Sequence, residues 1–152
     1  MTGTIVREAR PGDHDQWLPL WDGYNAFYGR AGETALAPEI TATTWARFFD
    51  PYEPMRAFVA EHEGRLVGLV HCLLHRSTTS IAPSLYLQDL FTSAKARGQG
   101  VGRALIEAIY DHARGAGIPG VYWLTHETNA TAMRLYDRLA EKSGFIVYRQ
   151  MI

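Results

Sequence analysis

The strongest local signal in the chain is Arg97-Gly98-Gln99-Gly100-Val101-Gly102-Arg103, between a β-rich run and an amphipathic helix pattern. Its alternating glycines let the backbone adopt positive φ values and approach a ligand closely. The following helix points unpaired N–H groups and a partial positive charge into the loop. Such a loop suits a phosphate or pyrophosphate, and its two arginines can add charge-assisted contacts. The alternative to a phosphate-binding loop is an ordinary strand-to-helix turn.

Two common phosphate-binding motifs do not fit this stretch. A Walker A loop requires Gly-x-x-x-x-Gly-Lys, which the chain lacks. The dinucleotide fingerprint Gly-x-Gly-x-x-Gly fails because its sixth position is Arg103 counted from Gly98 and Leu105 counted from Gly100. A nucleotide-binding domain of another kind stays open, since Glu127 follows Gly102 by about 25 residues, roughly where a ribose-binding acid would lie.

The pattern around the loop predicts the α+β class. Two extended runs that meet at Glu63-Gly64 predict a hairpin, and the helix after the loop leads to another strand as a βαβ crossover. We therefore expect a mixed, mostly antiparallel sheet with one βαβ crossover flanked by helices. The predicted strands are 4–9, 57–62, 65–75, 85–92, 121–125 and 145–151; the predicted helices are 14–28 with Asp13 as N-cap, one opening at Pro38, 101–116, and one capped by Asn129.

Composition bounds the function classes. The 152 residues suffice for a single domain, 1–152, and 47% of them are apolar, enough for an ordinary core. A net charge of −1 predicts no nucleic-acid or membrane partner. No apolar run approaches the ~20 residues of a membrane span, and we expect no signal peptide, because the first residues lack a basic region followed by an apolar stretch. A single cysteine, Cys72, suits a reducing cytoplasm, where we expect the protein.

No metal site is expected. His71 and His75 share a predicted strand face, but their separation of ~13 Å is too large for one ion. Cys72, in an apolar strand, is interpreted as a small core residue rather than a nucleophile.

The sequence resembles the GNAT superfamily of acetyl-CoA-dependent N-acetyltransferases. Three stretches carry the resemblance: Tyr86-Leu87-Gln88-Asp89-Leu90-Phe91-Thr92, the glycine loop 97–103, and Asn129-Ala130-Thr131-Ala132-Met133-Arg134-Leu135-Tyr136. The similarity is firm over about residues 57–140 and is greatest to the small branch that acetylates polyamines, histones and similar amines. It implies the GNAT acyltransferase fold, acetyl-CoA as donor and no metal.

The resemblance also implies where acetyl-CoA lies. The strand before the loop would carry a bulge and splay from its parallel neighbour, so that the pantetheine arm fits between them. The backbones of Leu90, Phe91 and Thr92 would bond the pantetheine amides, and one N–H would stabilise the tetrahedral oxyanion. Asn129 and Ala132 would hold the arm from the other side. The pyrophosphate would bind along the loop: Arg97, Gly98, Gln99, Gly100, Val101, Gly102 and Arg103.

Tyr136 is the predicted catalytic residue. It follows Asn129 by about two helical turns, so the two fall on a similar helix face. By the resemblance, its phenol would protonate the departing CoA thiolate. From spacing alone, Tyr136 also continues the apolar stripe of Leu135 and Leu139, which is typical of a core tyrosine.

The sequence indicates the residues that would bind the acceptor less clearly than those that would bind acetyl-CoA. An alkyl amine, with a pKa near ~10.4, must lose a proton before it attacks. The polyamine branch has a glutamate where this chain has Gln88, which cannot act as a base. Asp89, on the opposite strand face, and His126 with Glu127 are alternatives, although each side chain could simply be solvated. Tyr24, Tyr28 and Trp45 are further candidates, since the first two helices of this fold commonly wall the acceptor site and aromatic rings attract ammonium groups.

The predicted function is transfer of an acetyl group from acetyl-CoA to a primary amine by direct attack. The acceptor could be a small amine, a polyamine, an amino acid, or a protein lysine or N-terminus. The alternative is a non-catalytic CoA-binding regulatory or protein-interaction module on the same fold.

The C-terminal stretch predicts assembly. The helix carrying Tyr136 is expected to run one turn longer than in the family, with a single strand, 145–151, after it. Both faces of that strand are apolar, and an exposed terminal strand of this kind is a liability in a monomer. We therefore expect a homodimer. One face carries Phe145, Val147 and Met151, and the other Ile146, Tyr148 and Ile152.

Overall fold

A five-stranded sheet in the order β1-β2-β3-β4-β5 organises the computed structural model, which describes residues 3–152. The first four strands pair antiparallel, and β5 pairs parallel to β4. This confirms the mixed, mostly antiparallel sheet and its one βαβ crossover. The strands are β1 Thr4–Glu8, β2 Met55–His62, β3 Arg65–His75, β4 Ser84–Thr92 and β5 Val121–Tyr122.

In the described part of the chain, four α-helices cover the two faces of the sheet. On one face, α3 and α4 pack against an aliphatic core; on the other, the aromatic side chains of α1 and of the end of α2 pack against β2 and β3. The α3 stripe is buried at Val101, Leu105 and Ile109, as its three- and four-residue spacing predicts. The helices are α1 His14–Phe27, α2 Pro38–Arg47, α3 Val101–Gly115 and α4 Ala130–Leu139.

Asp13 is the N-cap residue of α1, as predicted, but its side chain makes no capping hydrogen bond to the helix. Instead its carboxylate accepts two hydrogen bonds from the Arg7 guanidinium, at 2.8 and 2.9 Å, and one from the Arg10 N–H at 2.7 Å. The ion pair connects β1 to the start of α1. The hydrogen bond from Arg7 is the largest cause that lowers the pKa of Asp13.

The predicted last strand, 145–151, is wrong. In the structure this stretch forms neither helix nor strand, and its apolar side chains are exposed. The predicted extra turn of α4 is wrong too, because the helix ends at Leu139 and the Ala140 N–H closes it on Tyr136 O. β5 is also shorter than predicted, since it ends at Tyr122 instead of Thr125.

Within residues 3–152, no helix combines the length and apolar character needed to cross a membrane.

Candidate active site

The gap between β4 and β5 is the first feature of the site. The parallel ladder joins Leu85 to Val121 and Tyr86 to Tyr122 and then stops, whereas β4 continues to Thr92. Beyond Tyr86, β4 therefore has β3 as its ladder partner on one side and a gap on the other. Backbone N–H and C=O groups along such a gap can bind an extended ligand as a further strand would.

A β-bulge lies at the head of this gap. Cys72 pairs with Leu87 and His71 pairs with Asp89, so Gln88 is the extra residue of β4. The bulge implied by the resemblance is thus present. Gln88 is exposed and lines a cleft, while Asp89 is buried against β3.

The glycine loop places a bare helix N-terminus beside the end of β4. Gly98 and Gly100 have φ values of 73° and 82°, the left-handed region that favours glycine. α3 starts at Val101 without a side-chain cap, so its first amides face the loop. A Cβ built on Gly102 would lie 3.5 Å from Leu135 of α4 and 3.9 Å from Thr92 Oγ1. The loop therefore meets both the end of β4 and α4.

The polar side chains of the loop have partners within the chain. Arg97 donates from Nε to Thr92 O at 3.2 Å, and its guanidinium lies 5.6 Å from the Phe91 ring centroid. Gln99 donates to Lys95 O. Arg103 forms an exposed ion pair with Glu107 at 2.9 Å. An exposed ion pair of this kind contributes little to stability, so Arg103 can leave Glu107 and bind an anion at a small cost in free energy.

α4 lies across the gap and brings the second motif to it. Asn129 is the N-cap residue, and its Nδ2 donates to Thr125 Oγ1 at 3.2 Å. Ala132 is half-buried on the first turn. His126 is exposed and forms a 2.7 Å hydrogen bond with Thr128 Oγ1, which keeps it in the loop before α4.

Tyr136 opens into a cleft between α1, β4 and α4. Its ring packs edge-on against Trp123 at 5.4 Å. Burial, and then the neighbouring Tyr28 phenol, raise the pKa of Tyr136, so the hydroxyl stays protonated at neutral pH. The cleft is lined by Tyr24, Tyr28, Leu87, Gln88, Leu90, Trp123, Leu124 and Tyr136.

Two of the three aromatic candidates, Tyr24 and Tyr28, line the cleft. The rings of Tyr24 and Tyr28 lie 5.1 Å apart, and the Arg30 guanidinium sits 5.9 and 5.4 Å from their centroids. Trp45 lies instead in the aromatic core, 4.6 Å from Trp17. Sequence reasoning missed Trp123, Leu87 and Leu124, whose place in the cleft follows from the divergence of β4 and β5.

A buried polar chain behind the cleft was also missed. The Trp17 indole N–H donates to His71 Nε2 at 3.0 Å, and His71 Nδ1 lies 2.9 Å from Asp89 Oδ2. His71 is 1% exposed and Asp89 8%. The available signal was a histidine in the middle of an otherwise apolar strand. Cys72, the next residue, faces the opposite core, where burial raises the pKa of its thiol to about 12, as expected of an inert core residue.

Among residues 3–152, no group of three His, Cys, Asp or Glu side chains is placed to hold a metal ion.

Comparison with known proteins decides the family. The profile of the Acetyltransferase (GNAT) family matches residues 17–140. The chain belongs to the GNAT family. The D-amino-acid N-acetyltransferase HPA3 of Saccharomyces cerevisiae is 34% identical over 148 residues, which cover 96% of this chain and 89% of that protein.

Two further comparisons agree with this GNAT assignment. A mycothiol acetyltransferase of Acidimicrobium ferrooxidans is 32% identical over 93% of this chain, which spans 43% of that longer protein. The structure of AAC(6')-Iy in complex with a CoA bisubstrate analogue superposes with a TM-score of 0.81 over 98% of both chains at 14% identity, which shows the shared fold. The chain is an acetyl-CoA-dependent N-acetyltransferase, and an amine is its acceptor.

Proposed function

We propose that this GNAT enzyme transfers acetyl from acetyl-CoA to the primary amine of a small acceptor by direct attack. The observation that carries the proposal is the junction of three features: the β4–β5 gap, the bare N-terminus of α3, and the cleft into which Tyr136 opens. A donor laid along the gap has its phosphates at the loop and its thioester at the cleft. Donor and acceptor then meet without a covalent enzyme intermediate.

The donor site is the better defined half. The backbones of Leu90, Phe91 and Thr92 hold the pantetheine, and one of their N–H groups polarises the acetyl carbonyl. The amides of 98–103, with Arg97 and Arg103, bind the pyrophosphate. Asn129 and Ala132 border the arm from α4.

Tyr136 supplies the proton of the reaction. The neutral amine attacks the thioester carbon, and the tetrahedral intermediate collapses by breaking the C–S bond. The thiolate takes its proton from the Tyr136 phenol, which suits the role because its raised pKa keeps it protonated before the step. The phenolate left behind takes up the proton that the attacking nitrogen releases as the amide forms.

The cleft suits an amino acid among the small amines. Arg30 lies over Tyr24 and Tyr28 at the cleft wall, and its Nε is engaged by Asn25 Oδ1 at 2.7 Å. A carboxylate of the acceptor would bind through the remaining guanidinium N–H groups. HPA3, which is named for D-amino acids, supports this choice. Gln88 at the bulge lines the cleft that an acceptor side chain would enter, whereas His126 is exposed in the loop before α4.

An acetylation screen tests the proposal. Acetyl-CoA is supplied with four acceptor classes: D- and L-amino acids, polyamines, aminoglycosides, and peptides with a free N-terminus or lysine. The expected result is a product heavier by one acetyl group, with the highest kcat/KM among amino acids. Acetyl-CoA binding without any acetylated product would favour the non-catalytic CoA-binding module instead.

The proposed assembly is a cytoplasmic homodimer that binds neither nucleic acid nor membrane. The C-terminal tail, residues 140–152, supports the dimer, because its side chains at 145–148 are between 67% and 91% exposed. The hydrogen bonds of this tail are local. They run from Ala140 N to Tyr136 O, from Phe145 N to Ser143 Oγ and from Gln150 Nε2 to Met151 O. An apolar tail of this kind is stabilised by packing against a second copy.

A further inference from the structure

Two tyrosines stack on the last rung of the β4–β5 ladder. Tyr86 pairs with Tyr122 in the parallel register, and the gap between the strands opens directly after them. Their ring centroids lie 5.0 Å apart, and the ring planes are inclined by 16°. Aromatic faces arranged in this way bind further planar rings well. This pair, the tyrosine stack, therefore lies where the gap begins.

His75 holds the outer ring of the tyrosine stack in place. Its Nδ1 lies 2.8 Å from the Arg76 carbonyl oxygen, which can only accept, so Nδ1 carries the proton. In the neutral ring, Nε2 then accepts a hydrogen bond from the Tyr122 hydroxyl at 2.8 Å. Tyr122 is nevertheless 44% exposed. An apolar surface that is already ordered loses little entropy when it binds a ligand.

The tyrosine stack continues the wall of the acceptor cleft. Each of its residues is followed in the chain by one that lines the cleft, Leu87 after Tyr86 and Trp123 after Tyr122. The Leu87 side chain lies in the aliphatic core beneath α3 and α4. Because neighbouring residues of a strand point to opposite faces, Tyr86 faces the side of the sheet on which α1 packs.

Two residues of the cleft border the tyrosine stack. Tyr28 and Leu124 line the cleft and are 45% and 55% exposed. Leu124 follows Tyr122 by two residues. Burial raises the pKa of the Tyr86 phenol most, and Asp89, Tyr122 and Tyr28 raise it further, in agreement with a position of Tyr28 near the stack. Apolar surface thus runs from the cleft onto the exposed part of Tyr122.

The charges around the tyrosine stack favour a neutral ring over a cationic side chain. The Arg30 guanidinium lies 5.4 Å from the Tyr28 ring centroid, so a cation on the neighbouring stack would meet a like charge. Asp89 is buried and lies 2.9 Å from His71 Nδ1, so it presents no exposed carboxylate that would attract a cation. The exposed surface of the stack is aromatic, and it suits an uncharged aromatic ring.

We propose that the tyrosine stack binds the side chain of the acceptor and selects an amino acid whose side chain is aromatic. The proposal rests on the amino-acid acceptor of the proposed function and deepens it by naming the side chain. With its carboxylate on Arg30 and its amine in the gap, the acceptor lays its ring on the exposed part of Tyr122.

The dimensions of an aromatic amino acid fit this arrangement. Leu90 is the first residue of β4 proposed to hold the pantetheine, and it follows Tyr86 by four residues, of which Gln88 is the bulge. About 10 Å of strand therefore separates them. In phenylalanine the far edge of the ring lies ~6 Å from the amine by ordinary bond lengths, and ring contact adds ~3.5 Å. The side chain of alanine is too short to make this contact.

A matched set of acceptors tests the proposal. The kcat/KM for acetylation is measured for phenylalanine, cyclohexylalanine, lysine and alanine, each as both enantiomers. We expect phenylalanine to exceed alanine about 10–200-fold, the range for an added apolar group in a pocket. It should exceed cyclohexylalanine about 2–10-fold, because the saturated ring has no π face. Equal values for phenylalanine and alanine, or a higher value for lysine or cyclohexylalanine, would overturn the proposal.

Variants of Tyr122 assign the preference to its ring. Tyr122→Ala should lower the ratio of phenylalanine to alanine about 10-fold, whereas Tyr122→Phe keeps the ring and should retain most of the ratio. Tyr122→Leu keeps apolar bulk in case the alanine variant does not fold, and it should bring the ratio of phenylalanine to cyclohexylalanine close to one. The matched control is Ile5→Ala, at a 55% exposed residue of the opposite edge strand, β1, which should keep both ratios. Wild-type ratios in folded Tyr122→Leu, or an equal loss in Tyr122→Phe, would refute the role of the ring.

Binding without turnover separates this inference from the proposed function. Phenylalanine and alanine are titrated by calorimetry into the protein saturated with CoA, which has no acetyl group to transfer. We expect phenylalanine to bind at least about 10-fold more tightly than alanine. Amino acids that are acetylated without any preference for a ring would overturn the tyrosine stack alone. Binding of phenylalanine without an acetylated product from acetyl-CoA would overturn the proposed function, and the acceptor role of the stack with it.

Discussion

The Tyr136 phenol is the single side chain on which the proposed chemistry depends. Tyr136→Phe keeps the ring against Trp123 and removes only the hydroxyl. We expect kcat to fall about 10²–10⁴-fold with little change in acetyl-CoA affinity, because the proton is needed only when the C–S bond breaks. Steady-state kinetics under conditions where chemistry limits the rate, together with calorimetry, measures both. Wild-type turnover would leave Tyr136 as a packing residue.

Asp13 gives a pH-dependent test of stability. Its pKa is lowered, chiefly by the Arg7 hydrogen bonds, so its contribution is fully present above the unfolded value of about 3.9 and is lost as pH falls through the lower folded value. Asp13→Asn should reduce the free energy of unfolding by about 1–3 kcal/mol at neutral pH. Urea unfolding should show this difference shrinking below about pH 4. A difference that is constant with pH would contradict the ionic origin.

The site residues predicted from the sequence are those whose signal is local. The glycine loop and the segment from Asn129 to Tyr136 are continuous, so their spacing carries the information. The Trp17–His71–Asp89 chain joins α1, β3 and β4, and no spacing within one segment reveals it. The location of Trp45 in the core was not predictable either, because an aromatic stripe on a helix has the same sequence pattern whether it faces a core or a cleft.

Packing between α3 and β3 depends on the absence of a side chain at Gly68. A Cβ there would lie 3.0 Å from the Phe91 carbonyl, from Leu105 and from Val101. Gly68→Ala should therefore reduce the free energy of unfolding by about 1–3 kcal/mol, since a backbone oxygen cannot move aside cheaply. Chemical denaturation measures the change.

Gly115, on α3 itself, is the matched control. A Cβ there meets nothing within 4 Å and the residue is helical, so Gly115→Ala should raise the free energy of unfolding by up to about 1 kcal/mol. The same sign of change at both positions would contradict this account of α3 packing.

Element boundaries were predictable where the apolar periodicity ends at the same place as turn-forming glycine and proline residues. α3 runs from Val101 to Gly115, and the prediction of 101–116 was close. The prediction of a strand at 145–151 was wrong because an apolar pattern indicates only where side chains would point in a strand. A strand also needs a neighbour to complete its backbone hydrogen bonds, and residues 140–152 have none within their own chain's sheet.

At the level of the whole molecule, the exposed tail predicts the mass in solution. Light scattering at ~100 μM, well above a micromolar dissociation constant, should give twice the chain mass of 17.1 kDa. Deletion of 145–152 should reduce the mass to that of a monomer. Ile81→Ser, at a 98% exposed apolar residue outside the tail, should keep the dimer. A monomeric wild type, or a deletion that changes neither mass nor stability, rules out the tail-mediated dimer.

Calorimetry of Gly100 variants tests whether acetyl-CoA binds with its pyrophosphate on the N-terminus of α3, as proposed. Gly100→Asn and Gly100→Asp are nearly the same size, and both residues tolerate the left-handed backbone at φ 82°. Only the aspartate places a negative charge against the phosphates. We expect Gly100→Asp to stay folded and to lose measurable acetyl-CoA binding, while Gly100→Asn retains weakened binding. Unchanged acetyl-CoA affinity in the folded aspartate variant would contradict the donor site.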